Sequence, residues 1–248
     1  MLLFGGTDIV RIPHHPLVAS RFELARRAVA ILRDRLPVAI PEPRAHAGPP
    51  ALETYPLLPG RAPRPADAGP ALVSDLVGFL VALHGTPPAL LAQGGIVPGF
   101  WADFLDHAAR LSADRVPDAG VLAMIRRDVA VARDTDGALP ATPVHYDLHP
   151  GNMLVAGDPA RLAGVIDFAD LSIDDPHWDF RHLGDLGPEF LSAVIDGYEA
   201  ATGRSLSRAR IGRLANCRRG LDHAKRALLD RLGSGATSGC TVPPATPS

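Results

Sequence analysis

The run His145-Tyr146-Asp147-Leu148-His149-Pro150-Gly151-Asn152-Met153-Leu154, followed by Gly164-Val165-Ile166-Asp167-Phe168, gathers the side chains best suited to chemistry in this chain. Pro150-Gly151 forces a turn directly after an extended stretch, which leaves Asp147 and Asn152 on one compact loop between two strands. Asp167 ends a third apolar strand, 162–166, so its carboxylate stands at a strand mouth. An amide and two carboxylates brought together suit a hard cation with oxygen ligands. Phosphoryl transfer needs such parts: one residue to orient the attacking hydroxyl, and oxygen ligands to hold Mg²⁺ against the β- and γ-phosphates of a nucleotide. Asp147 and Asn152 have the D-x-x-x-x-N spacing of a kinase catalytic loop. In this reading Asp147 orients and deprotonates the acceptor, while Asn152 and Asp167 hold Mg²⁺.

The neighbouring polar residues divide into supports and contacts. His145 reads as a buttress of the loop, and His149 equally as a phosphate or substrate contact or as a cap of the turn. Asp175 and Asp179 flank a helix start and read as caps of free backbone donors. Six aspartates lie between Asp167 and Asp185, which describes either a cleft for a cationic acceptor or a solvated acidic surface. A different chemistry takes His145, Asp147 and His149 as an H-x-D-x-H set of transition-metal ligands in a hydrolase. That arrangement gives no work to Asn152 or Asp167. A catalytically impaired binding protein is a third reading.

The elements that must position these residues are legible from periodicity. Residues 2–4 and 8–12 read as strands of a hairpin around Gly5-Gly6-Thr7, and 16–36 as a helix. Ten prolines between Pro37 and Pro70 exclude regular helix there and mark the end of a small N-terminal lobe, with the crossing near 52–58. Leu72, Leu76, Phe79, Leu80 and Leu83 then define a buried helix, and 98–111 and 118–133 two more. Strands are expected at 142–146, 152–155 and 162–168, and helices at 176–186, 189–202 and 207–232. The tail 233–248 reads as disordered.

Composition excludes several classes. A formal net charge of −2 gives no field to gather nucleic acid or an anionic membrane. The longest apolar run, 76–83, is far short of a bilayer span, and no signal peptide opens the chain. Two cysteines, Cys217 and Cys240, make neither a disulfide framework nor a zinc site, which fits a reducing cytoplasm. Lys225 is the only lysine among 25 Lys+Arg, so a Walker A loop is excluded; G-x-S-x-G and G-x-G-x-x-G are absent too.

The residues 145–154 and 164–168, with Asp175-Pro176-His177-Trp178-Asp179, resemble the H-G-D-L-H-P-G-N, I-D-F-G and D-P-x-x-D signatures of the aminoglycoside phosphotransferase family. The resemblance implies an α+β, bilobal protein-kinase-like fold with a mainly helical C-terminal lobe. It places a shortened N-terminal β-lobe and hinge at 1–58 and the catalytic and substrate lobe at 59–232. It implies a small-molecule kinase that uses ATP or GTP with Mg²⁺ on a hydroxyl of a small molecule, an aminoglycoside-type antibiotic first. Arg11, in Ile9-Val10-Arg11-Ile12-Pro13, matches the third-strand basic residue of this fold and Glu23 the helix acid that pairs with it beside the α- and β-phosphates. The hinge near Glu53 and Tyr55 is expected to meet the base through backbone groups. Arg11 stands where the fold has lysine, and Tyr146 and Ala169 where the family has glycine. Only ten residues precede Arg11, so the strand and phosphate-covering loop of the family are expected to be missing.

Overall fold

The computed structural model describes residues 2–4, 7–13, 16–48, 52–98 and 100–233. The Gly5-Gly6 part of the expected hairpin turn and the tail from 234 onward lie outside them.

The N-terminal part is an antiparallel sheet of β1 (Leu2–Phe4), β2 (Asp8–Arg11), β3 (Arg44–His46) and β4 (Leu52–Pro56) in the order β1-β2-β4-β3. Helix α1 (Pro16–Leu32) follows β2. It buries Ala25, Ala28, Val29 and Leu32, the i, i+3, i+4, i+7 stripe of an amphipathic helix. α1 stops short of the expected residue 36 because Pro37 disfavours helical geometry at Leu36. Antiparallel register sets Arg11 beside Glu53 and Ile9 beside Tyr55.

The C-terminal part is mainly helical: α2 (Pro70–His84), α3 (Pro88–Gln93), α4 (Phe100–Ala109), α5 (Ala119–Arg133), α6 (His177–Phe180), α7 (Pro188–Thr202), α8 (Arg208–Asn216) and α9 (Arg218–Gly233). Two antiparallel pairs are set among them, β5 (Thr142–Val144) with β8 (Ser172–Asp174), and β6 (Met153–Ala156) with β7 (Arg161–Val165). Asp118 starts α5 by accepting from Val121 N, and Ser207 starts α8 by accepting from Arg210 N. The stretches expected as single helices at 176–186 and 207–232 are each broken, the second at Cys217. Residues 37–61 bind the two parts together: Val155 and Arg61 exchange backbone hydrogen bonds, and Val165 N donates to Ala39 O.

Two apolar cores result. One unites α1, α2, α7, β6 and β7 around Leu32, Leu76, Phe79 and Val165. The other unites α4, α5, α8 and α9 around Trp101, Ile125 and Leu214. Each fully buried leucine or phenylalanine contributes about 1.5–3 kcal/mol. Val144 and Tyr146 belong to the second core, Leu148 and Met153 to the first. The backbone between them is therefore anchored from both sides.

Candidate active site

Asp147 lies on that doubly anchored segment, with its side chain 35% exposed. The strand expected at 142–146 ends at Val144, because Tyr146 takes a left-handed conformation, φ 72°. Such a conformation costs a non-glycine residue about 1–2 kcal/mol. Truncating a buried aromatic ring costs about 3–5 kcal/mol, which outweighs that strain. The ring, in a residue 1% exposed, stacks on Trp101 at 3.9 Å and 3° and on Trp178 at 4.5 Å. Its hydroxyl is buried without a partner, and burial pushes its pKa far above the ordinary tyrosine value. Tyr146→Phe keeps the stack and removes the orphaned hydroxyl. We expect it to stabilise the protein by about 1 kcal/mol, a rise of about 2–4 °C in thermal midpoint. A fall in midpoint would show that the hydroxyl has a partner.

Asp179, wholly buried, holds this kink. Its carboxylate accepts from Tyr146 N (2.7 Å) and His145 N (2.9 Å) and meets His84 Nε2 at 3.0 Å. The D-P-x-x-D acid thus caps the backbone before Asp147, in place of the helix start where it was expected. Asp175 does accept at the helix start, from His177 N at 3.3 Å, and pairs besides with the His177 ring and Arg210. His145 Nε2 donates to Ile166 O (2.9 Å), tying the loop to the end of β7. Asn152 Nδ2 donates to Asp147 O (2.8 Å) and approaches Asp147 Oδ2 at 3.4 Å. His149 caps the short turn Pro150–Asn152 by accepting from Gly151 N at Nδ1, 3.0 Å. A Cβ at Gly151 would lie 2.7 Å from that ring and would push His149 off its cap.

His182, buried, stands 3.9 Å from Asp147 Oδ1. Its Nε2 accepts from Arg181 Nε at 2.8 Å, which fixes a neutral ring. Burial first, then the nearby Arg181 and Arg218 charges, lowers its pKa from 6.5 to about 2. Because the folded pKa lies below the unfolded one, this group's contribution is complete above pH 6.5 and is lost as pH falls. The loss is about 1.4 kcal/mol per pH unit. Between pH 6.5 and 5, wild type should lose about 2 kcal/mol more stability than His182→Gln. Parallel denaturant titrations at the two pH values measure it, and equal losses would refute it.

After the end of β7, Asp167 also adopts a left-handed conformation, φ 62°, with its side chain 46% exposed. Left-handed strain of this kind clusters at functional sites. Arg11 Nη2 donates to Asp167 Oδ1 at 3.1 Å, and Arg11 Nη1 lies 3.4 Å from Glu53 Oε1. The Arg11–Glu23 pair drawn from the family resemblance does not form. Glu23 is taken by Arg26 and Arg27, its i+3 and i+4 neighbours on α1. Glu53 fills the place by strand register. Burial, partly offset by Arg11, raises its pKa, and its Oε2 has no partner. Glu53 and Tyr55 lie inside β4 instead of in an open hinge, so Glu53 faces the cleft through its side chain; the connection to the helical part begins at Leu57. Arg21 of α1 donates to Ala169 O and Leu171 O, both at 2.8 Å, clamping the segment after Asp167.

The residues present fit a hard divalent cation. Asn152 commits its amide nitrogen to the loop and so leaves its oxygen free, and its backbone carbonyl accepts from Ile166 N, the residue before the half-exposed carboxylate at 167. Mg²⁺ is held in such sites by one or two protein oxygens together with substrate phosphates. The H-x-D-x-H alternative fails on geometry. The kink at Tyr146 breaks strand alternation, and His145 spends Nε2 on Ile166 O. Among the described residues no group of three or more His, Cys, Asp or Glu is arranged to hold a metal.

Residues 3–211 match the phosphotransferase enzyme family. Over 198 residues the chain is 30% identical to a homoserine kinase of Gluconobacter oxydans (strain 621H), covering 74% of this chain and 59% of that protein. The chain therefore spans about three-fifths of that curated relative's length. The fold superposes on the GDP and kanamycin complex of APH(2")-IIia with a TM-score of 0.70 at 18% identity, covering 94% of this chain and 85% of that one. A macrolide 2'-phosphotransferase type I superposes with a TM-score of 0.65 at 25% identity, covering 92% and 79%. With its α+β kinase-like fold, its D-x-x-x-x-N loop and its strand-end aspartate, the chain belongs to the phosphotransferase enzyme family. Among the described residues no helix is long and apolar enough to cross a membrane.

Proposed function

We propose that this protein transfers the γ-phosphate of ATP or GTP to a hydroxyl of a small molecule. The observations that carry the reading are the Asp147 loop, braced by Asn152, and the strand-end Asp167, braced by Arg11, with both carboxylates acting on the same lysine, Lys225. Asp147 orients the acceptor hydroxyl and takes its proton. Asn152 and Asp167 would hold Mg²⁺, which would supply neutralisation of the nucleotide's phosphate charge. Arg11, oriented by Glu53, reaches the nucleotide phosphates from the sheet side. His149 closes the turn that presents Asn152. Residues 1–58 act as the nucleotide lobe and 59–232 as the catalytic and acceptor lobe.

The acceptor is better matched to a small amino alcohol than to a polycation. The aminoglycoside expectation came from the family resemblance, and the six aspartates between 167 and 185, which would have suited a cationic acceptor, are already engaged. Asp167 pairs with Arg11, Asp170 with Lys225, Asp175 with Arg210, and Asp185 with Arg218. Asp174 accepts from Asp175 N, and Asp179 caps the loop. Similarity to a homoserine kinase supports the same class. The test is release of ADP or GDP with Mg²⁺ and homoserine, kanamycin or a macrolide as acceptor. It is paired with titration of nucleotide binding with and without Mg²⁺ for wild type and Asp167→Ala. Turnover on homoserine with weakened Mg²⁺-nucleotide binding in the variant is expected. Turnover on kanamycin alone overturns the acceptor class. No magnesium-dependent nucleotide binding overturns the whole reading.

A further inference from the structure

We infer that Lys225 is a further catalytic residue, donating from α9 to a non-bridging oxygen of the phosphoryl group as it passes from nucleotide to acceptor. This rests on the phosphotransfer reading above. It concerns a part of the chain beyond residue 211, where the family match ends.

The geometry supports it at three levels. First, α9 is held in a fixed register. Its first turn packs on α5 where Gly220 N donates to the buried Asp128 Oδ2 at 2.9 Å. A Cβ at Gly220 would fall 2.5 Å from that oxygen, so this approach is open only to glycine. Leu221 and Ala224 then enter the second core, which leaves Lys225 on the side of α9 that meets Asp170. Second, the ammonium lands on the segment that follows Asp167: Lys225 Nζ donates to Asp170 Oδ2 at 2.9 Å. It stands 6.0 Å over the ring of Trp101, the outer member of the stack that seats Tyr146. Third, an ammonium has three donors, and a single Lys225 hydrogen bond is recorded among the described residues. The side chain is 48% exposed, so the remaining donors are open to solvent or a ligand. Partial burial works against the charge, but Asp170, with Asp147 and Asp167 acting at longer range, carries the pKa above the ordinary lysine value. The charge is therefore present throughout the physiological range. It lies within the field of both carboxylates between which the phosphoryl group must travel.

Such a cation has work to do here. The migrating phosphoryl group spreads negative charge over its three equatorial oxygens, and a positioned cation stabilises that charge more than it does the ground state. No covalent bond to Lys225 forms. The acceptor oxygen bonds to phosphorus and the bond from phosphorus to the bridging oxygen breaks. The nucleoside diphosphate leaves with that oxygen, and the hydroxyl proton passes to Asp147. Lys225 keeps its proton.

The test uses a phosphoryl mimic, so it does not depend on knowing the acceptor. Affinities for Mg-ADP and Mg-GDP are measured with and without aluminium fluoride for wild type, Lys225→Met, Lys225→Arg and Asp170→Asn. Fluoroaluminate should tighten wild-type binding. Lys225→Met should lose that increment by about 10²-fold while holding the plain diphosphate within twofold. Lys225→Arg should recover part of it, and Asp170→Asn should retain most of it. An increment unchanged in Lys225→Met sinks this assignment alone. Equal losses in Lys225→Met and Asp170→Asn reduce the contact to a structural tie and overturn it too. A wild type that binds neither diphosphate sinks the phosphotransfer reading and this assignment together.

Discussion

Asp147→Asn should slow phosphoryl transfer by about 10²–10⁴-fold, the range expected when a positioned base is lost. The substitution is nearly isosteric, so the loop keeps its shape: Asn152 Nδ2 still has the residue-147 backbone carbonyl to donate to. What disappears is the capacity to take the acceptor's proton. Affinity for Mg-ADP should stay within a few-fold, because Asn152 and Asp167 remain. Single-turnover rates beside diphosphate titrations separate the two quantities. If affinity falls as far as the rate, Asp147 belongs to the metal site and the division of labour is wrong.

Asp179→Ala should produce the largest loss of stability. The carboxylate is wholly buried and satisfies three groups, the amides of His145 and Tyr146 and the ring of His84. Removing it orphans two buried backbone donors at about 1–3 kcal/mol each, so a total near 4 kcal/mol is expected. For a chain of this size that is about 8–16 °C in thermal midpoint. Activity measured well below the new midpoint should still be reduced, because nothing else recorded holds the amide of the left-handed residue next to Asp147. Asp179→Asn, with one acceptor oxygen left, should fall between. An alanine variant with unchanged melting would show that the kink holds itself.

The sequence carried the loop and the strand-end acid because local rules dictate both. Proline and glycine at 150 and 151 fix a turn, and an apolar run ending in Asp167 fixes a strand mouth. The long helices were legible for the same reason, as with the buried stripe of α2. Partners that depend on tertiary approach were not. Glu23 offered itself to Arg11 by family resemblance, yet Arg26 and Arg27 stand at the i+3 and i+4 positions that claim a helical carboxylate. That competition was readable. Glu53 required the β2–β4 register, which proline-rich residues 37–51 hide. Asp179 looked like a helix cap because its true partners lie more than thirty residues earlier in the chain. Lys225 merged into a basic helix, since only the packing of α9 on α5 tells its face from the solvent face.

The ion pairs of Arg11 run to β4 and to the segment after β7, while α1 offers it the face of the Phe22 ring at 4.0 Å. In kinases where the strand cation is held by a helix acid, shifting that helix switches catalysis off. Here a swing of α1 would leave both pairs of Arg11 standing. The same swing would drag Arg21 and, through it, the carbonyls of Ala169 and Leu171. Any control exerted through α1 would therefore be felt at the aspartate-bearing loop and spare the guanidinium; under the proposed function, that would throttle metal affinity while leaving the phosphate contact intact.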